Sequence, residues 1–142
     1  MARLTRDQAV ARLLDGIQAD LGACGAVHEL LERQFQAALR HRGPELSSLA
    51  AELMPRLDEM EERRKQRVQL VRALFGPDAT MDQLFASLDA PQKSAASTAW
   101  AQLERLVRDC KQATARNGNL MADQYSVMQR LLHGEDDTYA PR

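Results

Sequence analysis

The chain has 142 residues, a net charge of -1 and a pI near 6.3, so one domain is expected, with no electrostatic drive toward nucleic acid or anionic lipid. Aromatic residues, at 4%, are too scarce for a base-stacking surface. Two distant cysteines inside apolar stripes, Cys24 and Cys110, argue against a disulfide framework, and no apolar run approaches the roughly 18 residues of a membrane span.

The N-terminus, Met1 to Asp7, lacks the apolar stretch of a signal peptide, which makes a cytoplasmic protein the expectation. Thr5-x-x-Gln8 is a capping box with Leu4 placed as its staple. A first long helix follows to about Arg40. Its inward stripe is Val10, Leu14, Ile17, Leu21, Cys24, His28, Leu31, Phe35 and Ala38. Gly16, Gly22 and Gly25 each weaken it by roughly 1 kcal/mol relative to alanine. A second stripe, Gly16, Ala19, Ala23 and Ala26, reads equally as a close helix approach or as exposed filler.

His41-Arg42-Gly43-Pro44 ends this helix, with Gly43 suited to the left-handed residue after the last turn. The short loop turns the second helix antiparallel to the first. That helix is expected from about Pro44 to Phe75, with Leu46, Leu49, Leu53, Leu57, Met60, Val71 and Leu74 inward. Pro55 is expected to kink or break it. Residues Glu61 to Arg67 carry mixed charge and read as a solvated face with i,i+4 pairs. Gly76-Pro77-Asp78 is a stop. Thr80 then caps a short helix from Met81 to Leu88, and Asp89-Ala90-Pro91 turns the chain again.

The last helix is expected from Pro91 or Gln92 to Leu132. Steps of three and four visit Trp100, Leu103, Val107, Cys110, Thr114, Asn117, Met121, Gln124, Met128 and Leu131, one stripe at 3.6 residues per turn. Its first half is apolar, with Trp100 as an anchor in the core near the end of the bundle. Its middle is polar and holds Asn117-Gly118. Its last part is apolar again and rich in methionine. Asn117-Gly118 is a turn signal by composition, yet the stripe stays in phase across it, which favours a continuous or slightly bent helix. We read Asn117 and Gly118 as a hinge. Leu120, Met121, Val127, Met128, Leu131 and Leu132 form a partner face, with Tyr125 at its edge. Gly134 is expected to close the helix, leaving residues 134–142 as a polar, fraying tail.

No stretch alternates like a strand. The expected fold is all-α, an elongated antiparallel bundle of three long helices and one short one, in a single domain over residues 1–142. Enzymatic and metal-dependent readings find little support. There is no phosphate loop or nucleophile elbow, and none of His28, His41 or His133 follows a Glu at the di-iron spacing. Cys24 and His28 share a helical face, but zinc needs three or four ligands, so neither a metal nor another cofactor is expected. Both cysteines are expected to be buried and reduced.

Three segments carry a family resemblance. They are Trp100-x-x-Leu103-x-x-Leu106-Val107-x-x-Cys110, then Asn117-Gly118-Asn119-Leu120-Met121, then Thr138-Tyr139-Ala140-Pro141. In these the chain resembles the FlgN family of flagellar export chaperones, and the charged helix ending at Phe75-Gly76 is similar in layout. It departs from the family pattern at Thr114, where a second Asn is common, and at Pro55. The resemblance implies a cytoplasmic, non-enzymatic chaperone. It implies clients among the hook-associated junction proteins (FlgK- and FlgL-like), bound toward the C-terminal helix and delivered to components of the type III export apparatus. No nucleic acid or stable membrane insertion is implied. Methionine side chains adapt to partners of differing shape, and an amphipathic client helix would fit the stripe by groove or coiled-coil pairing. A structural bundle that pairs with itself through the same face is the alternative.

Overall fold

The computed structural model describes the backbone of residues 4–139 and the side-chain surroundings of residues 4–133. Met1 to Arg3 and Ala140 to Arg142 lie outside the described residues, as do the side chains from Gly134 onward. Four helices follow in order: α1 Arg6–Leu39, α2 Gly43–Phe75, α3 Met81–Ala86 and α4 Ala90–Tyr139. Among the described residues there is no strand, and no helix is long and apolar enough to cross a membrane. The all-α bundle of three long helices and one short one is the observed architecture.

Both capping boxes form. Thr5 accepts from the Gln8 amide while Gln8 accepts from the Thr5 amide, and Thr80 and Gln83 do the same for α3. Asp89 caps the first turn of α4 by accepting from the Gln92 amide at 2.9 Å. The turn between α1 and α2 differs from expectation. The left-handed residue is His41, at φ 54°, and Gly43 already belongs to α2. Histidine tolerates this region better than most side chains, and Pro44 fits the first turn of α2, where its missing N–H costs nothing. Gly76 is the position that needs glycine, because its φ of 101° is closed to side chains.

α2 runs unbroken through Pro55. Pro55 and Ala51 are both exposed, so the carbonyl freed by the missing N–H can be satisfied by water. α4 also outruns its expected end. It passes Gly134 and continues to Tyr139. One glycine costs an α-helix only about 1 kcal/mol, too little to stop it alone.

α1 is the central helix and packs on both α2 and α4. Its seam with α2 is antiparallel, with Leu30, Leu31 and Ala37 late in α1 meeting Leu49 and Leu53 early in α2. Two reversals leave α4 parallel to α1, and their register is regular. Cys24 meets Cys110, Leu31 meets Asn117 and Ala38 meets Gln124, each at a sequence separation of 86. Successive pairs are a heptad apart, as in a parallel coiled coil. The same offset carries back to Ile17 and Leu103, which are buried together.

The core has two parts. One joins Leu13, Ile17, Val71, Ala99 and Leu103 and is closed at its end by Leu84 and Phe85 of α3. Trp100 lies beside it, half-buried, edge-on to Phe85 with ring centres 6.5 Å apart. The other holds Val27, Leu30, Leu49, Leu53 and Ala113. The inward face of α1 is therefore rotated slightly from the expected stripe: Leu13 and Val27 are buried, while Leu14 and His28 are half-exposed. The small stripe from Gly16 needs no close helix approach, since a Cβ added at Gly16 would meet nothing within 4 Å.

Leu57, expected inward, is exposed. It forms the α2 wall of a cavity of about 410 Å³, together with Met60. Cys24, Val27 and Leu31 of α1 line the same cavity, and Val107 and Cys110 of α4 form the facing side.

Candidate functional site

The site is built by one helix outlasting another. α4 meets α1 in the heptad register at Leu103, Cys110, Asn117 and Gln124. α1 ends at Leu39, and the last tie is the Gln124 side-chain amide, which donates to the Ala38 carbonyl at 2.8 Å. That carbonyl also accepts from the His41 amide at 3.2 Å, so the tie joins the turn that ends α1. Beyond Gln124, α4 continues alone.

The expected partner face lies on this overhang and its root. Leu120 and Met121, beside the end of α1, are half-buried. Tyr125 is 66% exposed and Leu131 61%, and Val127, Met128 and Leu132 are also exposed large side chains. Their spacing places them on one broad side of the helix. Single exposed apolar residues are ordinary, but a contiguous row is not. The row is solvent-facing because the register has run out of α1, not because the sequence has become polar.

Asn117, one of the two residues read as a hinge, is bound into the α1–α4 seam. It is 1% exposed. Its amide donates to the Leu31 carbonyl and to Gln34 Oε1, both at 2.8 Å. Its oxygen accepts from Arg116 Nε and Nη2 at 3.2 and 3.1 Å. Arg116 in turn pairs with Glu32 at 3.0 Å and lies 4.0 Å over the Phe35 ring. A fully satisfied polar residue in a heptad seam costs some stability but fixes register. The polar waist is thus a tie between α1 and α4, and α4 is continuous through it. Gly118 is exposed, and a Cβ there would meet nothing within 4 Å. Thr114 turns back on its own helix and donates to the Cys110 carbonyl at 2.8 Å.

A second polar tie joins α1 to α2. Asp20 is buried and accepts from Arg63 and Arg67. The Arg67 guanidinium also lies 5.2 Å over the Trp100 ring, so one arginine links three helices. The charged run was expected to be wholly solvated. That holds for the exposed Arg64–Glu61 pair, where the Arg64 hydrogen bond holds the Glu61 carboxyl below its usual range. It does not hold for Arg63 and Arg67. The missed signal was Asp20 itself, a charge three residues past Ile17 on the inward side of α1. A buried carboxylate requires a cationic partner.

Cys24 is buried and Cys110 half-buried; both are free thiols, with their sulfurs 3.6 Å apart. Burial pushes both thiols up, Cys110 to about 12. His28 points to the surface, 3.9 Å from Glu32. Among the described residues no cluster of His, Cys, Asp or Glu has the numbers to hold a metal ion.

Residues 1–134 match the family model described as FlgN protein. No curated protein and no solved structure matches the chain. The chain belongs to the FlgN family, and that membership gives it a general role as a flagellar export chaperone.

Proposed function

We propose that this FlgN-family chain is a single-domain cytoplasmic chaperone. Its clients are hook–filament junction proteins of the FlgK and FlgL type, which it presents to the flagellar type III export apparatus. The client lies against Leu120, Met121, Tyr125, Val127, Met128, Leu131 and Leu132. The supporting observation is the overhang: a row of large apolar side chains on α4 that α1 no longer covers. An amphipathic client helix would extend the α1–α4 seam by taking the place α1 vacates. The exposed methionine adapts to clients of different shape, and Tyr125 offers a hydroxyl at the edge. The work is binding and not catalysis. Leu120 and Met121 stay fixed and the part of the face from Tyr125 onward moves, because Asn117 and Gln124 tie α4 to α1 on both sides of Gly118.

The test places a charge in the middle of the row. Met128→Glu or Leu131→Glu must be desolvated when a client binds. Changes at an interface centre often cost about 2 kcal/mol or more, roughly a thirtyfold loss of affinity. Calorimetry against a junction-protein C-terminal fragment should show that loss with the melting temperature nearly unchanged. Retained affinity removes these residues from the site. Loss of a self-associated state instead of client binding would favour a bundle that pairs with itself through the same face.

A further inference from the structure

We propose that Cys24 and Cys110 are a redox pair, which a low-molecular-weight disulfide converts into an intramolecular disulfide joining α1 to α4. This rests on the seam and not on the client site. The two sulfurs touch at 3.6 Å, and Cys110 Sγ also lies 3.6 Å from the Cys24 carbonyl. They are partners in a parallel heptad register, so the seam holds the two side chains facing each other. It is held on one side by the buried pair Ile17 and Leu103 and on the other by the Asn117 tie to Leu31. A disulfide forms only between side chains that already converge, and these do.

Access comes through the apolar cavity between α2 and α4, which both cysteines line. Cys110 is the more exposed of the two, so it meets the reagent first. Its thiolate attacks one sulfur of the small disulfide. The small S–S bond breaks, a mixed disulfide forms on Cys110, and the first small thiolate leaves and takes the proton that Cys110 lost. The Cys24 thiolate then attacks the Cys110 sulfur. The second small thiolate leaves with the proton from Cys24. Two protein thiols are oxidised to one disulfide, and the small disulfide is reduced to two thiols.

Only thiolates attack. Burial raises both thiols; the Cys24 neighbour and then Asp109 of α4 raise Cys110 further, while Asp20 of α1 and Asp109 raise Cys24 against the lowering by its hydrogen bond with Cys110. Lys111 of α4 also lines the cavity, while α2 contributes Leu57 and Met60 there. Exchange is therefore slow at neutral pH and quickens as pH rises. The pair can stay reduced among dilute disulfides and close under sustained oxidation.

The full-length protein treated with oxidised glutathione at mildly alkaline pH tests this. The expected product is a monomer that has lost two hydrogens, with a peptide containing residue 24 linked to one containing residue 110. Both thiols disappear together, and the product melts at a higher temperature than the reduced protein. Cys24→Ser stops at a single glutathione adduct on Cys110, and Cys110→Ser, left with the buried Cys24, reacts more slowly than Cys24→Ser. The proposal is overturned if the wild-type protein stops at a mixed disulfide, links two chains, or melts lower once oxidised. It is equally overturned if the native thiols stay unreacted while the same chain closes the bond in denaturant.

Discussion

α4 is two regions with one pattern. From Ala96 to Gln124 its stripe is pressed against α1, and Leu103 is 4% exposed. From Tyr125 onward the same spacing of apolar residues continues, and Leu131 is 61% exposed. Composition does not separate them, since both contain leucine and valine at helical spacing. The difference lies in what stands opposite. A hydrophobic stripe states that a face wants a partner, and the partner's length decides whether that face is core or binding surface.

The sharpest way to break this comparison is matched truncation. Leu103→Ala leaves a cavity in the core between α1 and α4 and should cost about 2–5 kcal/mol in a denaturant melt. Leu131→Ala removes the same atoms from a solvated face and should stay within about 0.5 kcal/mol. Equal losses would mean that the overhang is ordinary core. Asn117→Ala comes next. It strips the Leu31 carbonyl and Gln34 of a buried donor and leaves Arg116 with Glu32 alone, so a loss of about 1–3 kcal/mol is expected. A thermal melt showing no loss would mean that the polar tie does not hold α4 to α1.

Smaller effects refine the boundary between the regions. Gly118→Ala meets no neighbour and should stabilise the helix by up to about 1 kcal/mol. Destabilisation in the same melt would show that the native state uses a bend at Gly118. The smallest effect is on pH dependence. An unfolded cysteine titrates near its ordinary 9.0, whereas folding holds Cys110 at about 12. Above pH 9 the unfolded chain releases this proton and the folded chain keeps it, so stability falls between pH 9 and 12. A wild-type melt compared with Cys110→Ser isolates that slope, which should be shallower in the variant.

Helix content and order were legible because capping boxes and turn signals are local. Thr5 with Gln8, Thr80 with Gln83, and Gly76 each act within one turn of chain. The exposed row was legible as a stripe continuing past the polar waist. What could not be read was anything set by the partner helix. Asn117 looked like a weakness because its bonds go to Leu31 and Gln34, which lie more than eighty residues away. Arg63 and Arg67 looked solvated because their acceptor, Asp20, is on another helix. Leu57 has core spacing, yet it faces a cavity because α2 and α4 stand apart there. Pro55 and Gly134 were given too much weight: one faces water, and the other costs too little alone to stop a helix.

Amide hydrogen exchange along α4 of the free protein tests the central claim most directly. Seam-bound amides open only with global or large local unfolding, whereas an uncovered helix frays independently. The account predicts slow exchange from Trp100 to about Gln124, faster exchange from Tyr125 to Leu132, and protection of that second stretch when a client fragment binds. Uniformly slow exchange through Leu132 without a partner would contradict it, because the overhang would then already be held by the fold.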